Sequence, residues 1–279
     1  MSPRARVVVA TYNQLPFLRR ALRGYLRQTS NDFSLVVADD GSGEDVREHL
    51  RAFAREAEAR GIPFEHVWHE DDGFRKTVIL NEAIRRAGDE ALYVFSDGDC
   101  IPPARFVERH LEAHERYSFH VGGAVRLDEA VSATVAEDDV DTGRFEQLVE
   151  AEHRRELTRL RRKSVWGVRL RRKRRPRVLG LNMAFDRALF EGLNGFDERF
   201  GGSGFEDSDI RDRAMRHVPR PAVKILYGEN DVFHLWHPRR PNANALYRRH
   251  RDDPRPWRCE QGLLGPAETT PSVGGSGCV

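Results

Sequence analysis

Two aspartates separated by one glycine, Asp97-Gly98-Asp99, follow the apolar run Ala91-Leu92-Tyr93-Val94-Phe95. Carboxylates two positions apart at the end of a buried strand offer hard oxygen donors to Mg²⁺ or Mn²⁺, and Mg²⁺ in particular keeps several waters and bridges to phosphate. Gly98 permits a tight turn and close approach to a ligand, and Ile101-Pro102-Pro103 fixes the far side of that turn. A surface turn capping a strand would carry the same residues, so the pair needs company. It finds some in Asp71-Asp72-Gly73-Phe74-Arg75-Lys76, which opens a helical pattern. Cations in a helix's first turn oppose its dipole by about 0.3–1 kcal/mol, and a bound anion reverses that sign. A diphosphate fits there. The plainer alternative is that both cations fold back on Glu70, Asp71 and Asp72.

The elements that must position these groups alternate. Arg6 to Ala10, Phe33 to Ala38, Phe64 to Trp68 and Ala91 to Phe95 read as strands. Between them, Leu15, Leu18, Leu22 and Tyr25, then Val46, Leu50, Phe53 and Ala57, then Ile79, Leu80, Ala83, Ile84 and Ala87 each mark one helix face. Strands alternating with helices of this length predict an α/β fold with a mostly parallel, Rossmann-like central sheet flanked by helices. Ligands bind such sheets beyond the carboxyl ends of the strands. Thr11-Tyr12-Asn13, Asp39-Asp40, Glu70-Asp71-Asp72 and Asp97-Gly98-Asp99 all stand there.

The second half is less regular. Phe119 to Leu127 reads as a strand, residues 128–143 as an acidic loop, and Phe145 to Lys163 as a helix. Val178 to Phe185 reads as a strand, Asp207 to Arg216 as a helix, and Val223 to Trp236 as a strand or hairpin. The expected organisation is a donor half over 1–127, a variable acidic and basic insertion over 128–178, an acceptor half over 179–255, and a disordered tail over 256–279.

The ordered set Ala10-Thr11-Tyr12-Asn13, Asp39-Asp40-Gly41-Ser42, Asp72-Gly73-Phe74-Arg75, Asn81 and Phe95-Ser96-Asp97-Gly98-Asp99 resembles the donor half of glycosyltransferase family 2, which has the GT-A fold. Gly180-Leu181-Asn182-Met183-Ala184, Gly195-Phe196-Asp197-Glu198 and Gly204-Phe205-Glu206-Asp207-Ser208-Asp209 resemble acceptor-side motifs of its chondroitin-polymerase-like and galactosyltransferase-like members. Phe233-His234-Leu235-Trp236-His237-Pro238 resembles their C-terminal histidine motif.

The resemblance implies a nucleotide-sugar donor, most readily a UDP-sugar, and Mn²⁺ or Mg²⁺. Thr11, Tyr12, Asn13, Asp39, Asp40, Gly73, Arg75 and Asn182 fall in its donor-binding motifs, Thr11 and Asp40 at base and ribose, Arg75 near the diphosphate. Asp99 would ligate the metal, and Asp97 would ligate it or serve the ribose or a metal-bound water. Asp207 would be the base of an inverting transfer, with Glu206 touching acceptor or donor sugar; a base there must be ionised, as a helix N-terminus favours. His234 is favoured over His237 as the histidine ligand. In an extended strand the two rings would point to opposite faces, so one ligand is expected. Ser203 and Leu80 stand where the family often has tryptophan and arginine, which leaves the acceptor open among saccharide, lipid, peptide and small metabolite.

Composition bounds the rest. The chain has 279 residues, net charge +2 and 39% hydrophobic residues. Its opening, Met1-Ser2-Pro3-Arg4-Ala5-Arg6, lacks the apolar stretch of a signal peptide, and Cys100, Cys259 and Cys278 follow no metal or disulfide spacing. A cytoplasmic setting, with or without membrane association, is the expectation. From Arg154 to Arg177 stand thirteen Lys/Arg against one acid, so the remainder carries a net charge of −10. That segment suits an anionic membrane surface, where each nearby cation contributes about 1 kcal/mol. Closure over an anionic acceptor, or a solvated insertion paired with the acidic body, are its other readings. No nucleic-acid recognition motif accompanies the charge. Two rivals to sugar transfer are a sugar-1-phosphate nucleotidyltransferase, which should open with a Gly-rich basic loop where Ala10-Thr11-Tyr12-Asn13 stands, and a non-catalytic membrane or polyanion adaptor.

Overall fold

A computed structural model of the chain describes residues 4–202, 204–238 and 256–264. The β-branched and aromatic runs form β1 (Ala5–Thr11), β2 (Phe33–Asp39), β3 (Phe64–Trp68) and β4 (Leu92–Asp97). Between them lie α1 (Leu15–Leu26), α2 (Glu44–Ala59) and α3 (Lys76–Arg85). Next come the two-residue β5 (Cys100–Ile101), α4 (Phe106–Ala113), β6 (Ser118–Val121) and β7 (Gly123–Arg126). Then follow α5 (Glu129–Thr134), α6 (Glu137–Thr142), a 3₁₀ turn (Arg144–Leu148) and α7 (Ala151–Arg169). β8 (Asn182–Asp186), α8 (Arg187–Gly192), α9 (Glu206–Ala214), β9 (Ala222–Ile225) and β10 (Asp231–His234) complete the order.

Seven strands make the central sheet in the order β3-β2-β1-β4-β8-β6-β9. Strands β1 to β4 run parallel, and β8 is antiparallel to both neighbours. Alternate side chains feed two cores, as the strand period requires. Val8, Val36 and Phe95 face one, and Val7, Val9, Leu35 and Val94 face the other. Each fully buried aliphatic or aromatic side chain contributes about 1.5–3 kcal/mol.

A second sheet, β5-β10-β7, stands at the carboxyl end of β4. It corrects the single strand expected over 119–127. The run breaks at Gly122, where a Cβ would lie 2.3 Å from the Asn182 amide, and its halves join different sheets. β9 and β10 likewise enter separate sheets and form no hairpin. Residues 128–143, expected as loop, hold two six-residue helices. The Asp128 carboxylate accepts from Val131 N and that of Asp139 from Ala136 N, so the acids that suggested a loop satisfy helix starts instead. Residues 256–264, expected within a disordered tail, return to the core: Cys259 and Leu263 are buried, and their N–H groups donate to Leu193 and Asn194 carbonyls.

Asn182 is a hub of this architecture. Its amide donates to the carbonyls of Gly123 (2.9 Å) and Asn230 (2.8 Å), and its Oδ1 lies 3.2 Å from His110 Nε2. His110 is fully buried and stacks on His120. Burial pushes the His110 pKa down to about 4, whereas an unfolded histidine titrates near ~6.5. The unfolded chain therefore binds this proton more readily, and stability falls as pH drops from about 6.5 toward 4. Urea unfolding should show His110 alone costing about 2 kcal/mol at pH 5 relative to pH 8. His110→Gln should flatten the pH slope by that amount; an unaltered slope contradicts a neutral buried imidazole.

Candidate functional site

Parallel registry brings the carboxyl ends of three strands level: Thr11 pairs with Asp39, and Ala10 with Asp97. Beyond them opens a cleft of about 700 Å³ lined by Thr11, Asp40, Lys76, Asp97, Asp99 and His237, among others. Gly98 is required here for packing. Its N–H donates to the Ala10 carbonyl at 2.8 Å, and a Cβ would lie 3.1 Å from Thr11 Oγ1 and 3.2 Å from that carbonyl.

The small sheet supplies the second wall. In the antiparallel pairing of β10 with β5, His234 lies opposite Cys100, and Leu235 N donates to the Asp99 carbonyl at 2.9 Å. The strand ends at His234, and the chain then turns so that both imidazoles reach Asp99. His237 Nε2 is 3.1 Å from Asp99 Oδ2, and His234 Nε2 is 3.9 Å from Oδ1. One ligand atom from each of the three residues lies within 4.8 Å of the others. The premise behind the expectation of a single histidine, a strand continuing through His237, does not hold, and both imidazoles come within reach of Asp99. Burial pushes the His234 pKa down; burial alone would raise Asp99, but His237 and His234 hold it below the carboxylate range. A neutral imidazole and an ionised carboxylate are the forms a cation requires. One oxygen and two nitrogens suit a first-row ion such as Mn²⁺ better than Mg²⁺.

Asp97 stands outside that group. Its Oδ1 accepts from Lys76 Nζ at 2.6 Å, and the same ammonium lies 3.7 Å from Glu206 Oε1. Burial alone would lower the Lys76 pKa, but Asp97 and Glu206 raise it. The cation that opposes the α3 dipole is thus compensated by two carboxylates. Glu206 and Asp207 open α9, and burial pushes both upward, Lys76 partly offsetting it. Asp207 Oδ1 accepts from Ser208 N, and its Cβ packs 3.5 Å from where a Gly180 side chain would begin. Glu206 Oε2 is buried without a hydrogen-bond partner. Lys76 so links the carboxylate at the end of β4 with those at the start of α9.

The other expected donor residues divide. Thr11, Tyr12 and Asp40 line the cleft, and Thr11 Oγ1 is buried without a partner. Asp40 Oδ1 lies 2.7 Å from His69 Nε2, and its Oδ2 accepts from Arg75 N at 2.9 Å. Asp39 is fully buried, one oxygen accepting from Ser42 N and the other beside His66, so it braces the turn rather than facing a ligand. Asn13 accepts from Gly43 N and is not among the lining residues. Gly73 sits in an exposed left-handed turn, at φ +78°. Arg75 donates to the Glu70 carbonyl and pairs with Asp72, as the plainer alternative supposed for both cations, whereas Lys76 turns into the cleft. Asn182 spends its amide inside the sheets and does not line the cleft, which corrects its place among donor contacts. Ser203 lies outside the described residues.

Sequence reasoning gave no role to His69, Arg126 or Trp236, and read Lys76 only as one of two cations at a helix start. Lys76 was legible as a cation, but its partners stand 21 and 130 positions away. No local pattern marks Arg126, on β7, or shows that Trp236 of the histidine motif also lines the cleft.

Residues 6–185, well over half of the chain, match the family model described as glycosyl transferase family 2, and residues 165–225 match the model of the N-terminal domain of galactosyltransferase. A validoxylamine A glucosyltransferase of Streptomyces hygroscopicus subsp. jinggangensis is 34% identical over 114 residues, which cover 40% of this chain and 26% of that protein. This chain thus matches only about a quarter of that relative's length. Among solved structures, a mannosyltransferase of Pyrobaculum calidifontis in complex with GDP-Man and Mn²⁺ superposes with a TM-score of 0.54 at 20% identity, over 86% of this chain and 59% of that one. S. aureus TarS 1–349 with UDP-GlcNAc gives 0.55 at 12% identity, over 85% and 60%. These likenesses establish the fold.

In Mn²⁺ titrations read by the electron paramagnetic resonance of the free ion, Asp99→Ala and His237→Ala should each weaken binding by about tenfold or more. Asp97→Asn should weaken it less than about threefold, because Asp97 is held by Lys76 outside the coordinating group. Equal losses in all three variants would place Asp97 on the ion.

Proposed function

Because this chain belongs to glycosyltransferase family 2, we propose that it transfers a glycosyl group from a nucleotide-diphosphate sugar to an acceptor hydroxyl, with inversion at the anomeric carbon. The observation that carries this is the continuous line of groups from Asp99, His234 and His237 through Asp97 and Lys76 to Glu206 and Asp207. Structures sharing the fold were solved with UDP-GlcNAc and with GDP-Man. We favour a UDP-sugar for this chain, on the resemblance of the β1 and β2 motifs.

Thr11 and Asp40 hold the base and ribose at the strand ends. Thr11 Oγ1, buried and unpartnered, has a hydrogen bond to give there. Asp99, His234 and His237 would hold a divalent ion, which would neutralise charge on the departing diphosphate. Lys76 contributes a second positive charge between the diphosphate and the reacting carbon, and ties Asp97 to Glu206. Asp207 takes the acceptor's hydroxyl proton as its oxygen bonds to the anomeric carbon. The bond from that carbon to the diphosphate breaks, and the nucleoside diphosphate leaves. Burial raises Asp207 above an ordinary carboxylate, which makes it a stronger base at neutral pH. The acceptor side falls to α9 and the segment around Gly180 that packs on it.

Purified protein with Mn²⁺ and a panel of nucleotide sugars should release nucleoside diphosphate, and proton NMR of the product should show an inverted anomeric configuration. Asp207→Asn should lower kcat by about 10²–10⁴ with little change in donor binding. The acid limb of the kcat profile should lie above the ordinary carboxylate value of about 4, activity falling as pH drops through the raised pKa and the base becomes protonated. Wild-type kcat in Asp207→Asn, or release of pyrophosphate from a nucleoside triphosphate and a sugar phosphate, would overturn the reading.

A further inference from the structure

Helix α7 carries its packing on one stripe and its charge on the other. His153, Leu157, Leu160, Ser164, Gly167 and Val168 are its buried or half-buried residues, recurring every three or four positions against the body. The opposite side presents Arg155, Arg159, Arg162, Lys163 and Arg169, all exposed. Among these cations stand Val165 and Trp166, with Leu170 one residue past the helix, exposed by 44%, 57% and 55%. Seven large apolar side chains are exposed among the described residues, and these three fall within one six-residue stretch. The Arg169 guanidinium lies over the Trp166 ring at 5.6 Å.

A single exposed leucine needs no explanation, but an indole, a leucine and a valine clustered in a cationic field do. Water solvates the cations and leaves the apolar three at a cost. A phosphodiester polymer would pair with the cations and still leave them wet. The interface of a bilayer with anionic headgroups satisfies both sets, the cations at phosphate level and the apolar groups at the acyl boundary. Indole rings favour that depth. We propose that the outer face of α7 and the turn that follows dock on an anionic lipid bilayer. Contact is peripheral, since no helix among the described residues is long and apolar enough to cross a membrane.

The helix is tied to the cleft at both ends. His153 Nε2 lies 3.2 Å from the carbonyl of Arg126, which lines the cleft, and Arg211 of α9 donates to the Pro176 carbonyl beyond the helix. These contacts lie on the packed side of the segment and leave its outer face clear. The inference does not depend on sugar transfer.

The full chain is sedimented with phosphatidylcholine vesicles and with vesicles containing about one-third phosphatidylglycerol, at low and high salt. Binding to the anionic vesicles should be at least about tenfold tighter, weaken with salt, and fall about fivefold for each of Arg155→Gln, Arg159→Gln and Arg162→Gln. Tryptophan emission should shift to the blue on binding, and Trp166→Ser should abolish the shift. These positions are exposed, so an unchanged Tm and an unchanged thermal shift with UDP and Mn²⁺ separate lost docking from lost fold or lost donor binding. Equal binding to both vesicles, or anionic binding unaltered in the triple glutamine variant, overturns the proposal. So does soluble polyphosphate or RNA that binds without the blue shift and strips the protein from vesicles.

Discussion

The site depends on one short pairing. Only two residues of β5 meet β10, yet that contact sets His234 opposite Cys100 and hangs the Leu235 N–H on the carbonyl of Asp99. Without it the histidines would have no fixed relation to the carboxylate, since 135 positions separate Asp99 from His234. The pairing is guarded on its other side by β7, whose Arg126 registers with His234. β4, β5 and the turn between them are buried apart from Asp97, so the imidazoles come to a carboxylate held by the sheets. Preorganisation of this kind lets ion binding proceed without rearrangement.

Charge is the second constraint. Asp97, Asp99, Glu206 and Asp207 crowd one end of the sheet, and burial works against each of them in the ionised form. Asp99 is balanced by two imidazoles, and Asp97 and Glu206 by Lys76. Asp207 is left with the least compensation, held by Ser208 N and by the more distant charges of Arg211 and Lys76. Glu206 and Asp207, the two carboxylates that burial raises here, thus stand apart from the group suited to a cation, where the imidazoles hold Asp99 down.

The first half of the fold was legible because its information is local. The period-two runs of β1 to β4 and the three-and-four spacing of α1 to α3 specify elements within a dozen residues, and parallel connection follows from their alternation. The carboxylates at the strand ends were legible for the same reason, and the family match agrees with the ordered motifs. What escaped was non-local. The small sheet joins segments near residues 100, 125 and 233, each too short to show a period. His237 was misjudged because a strand's end cannot be read from Phe233-His234-Leu235-Trp236-His237, and Asn182 because a motif position does not reveal which way an amide faces. Lys76 drew less attention than Arg75, its neighbour, since both stand at the helix start and only tertiary partners tell them apart.

The return of residues 256–264 bears on the order in which the molecule can be completed. Arg85 donates to the carbonyls of Gly262 and Leu263, and Asn194 exchanges hydrogen bonds with Cys259 and Leu264. On a ribosome the strand ends that carry Thr11, Asp40 and Asp97 emerge within the first hundred residues. The backing of the segment just before α9 waits until the chain has emerged past Leu264. A prematurely stopped polypeptide would thus lack both the wall of the cleft that β10 brings and the segment that backs Asn194.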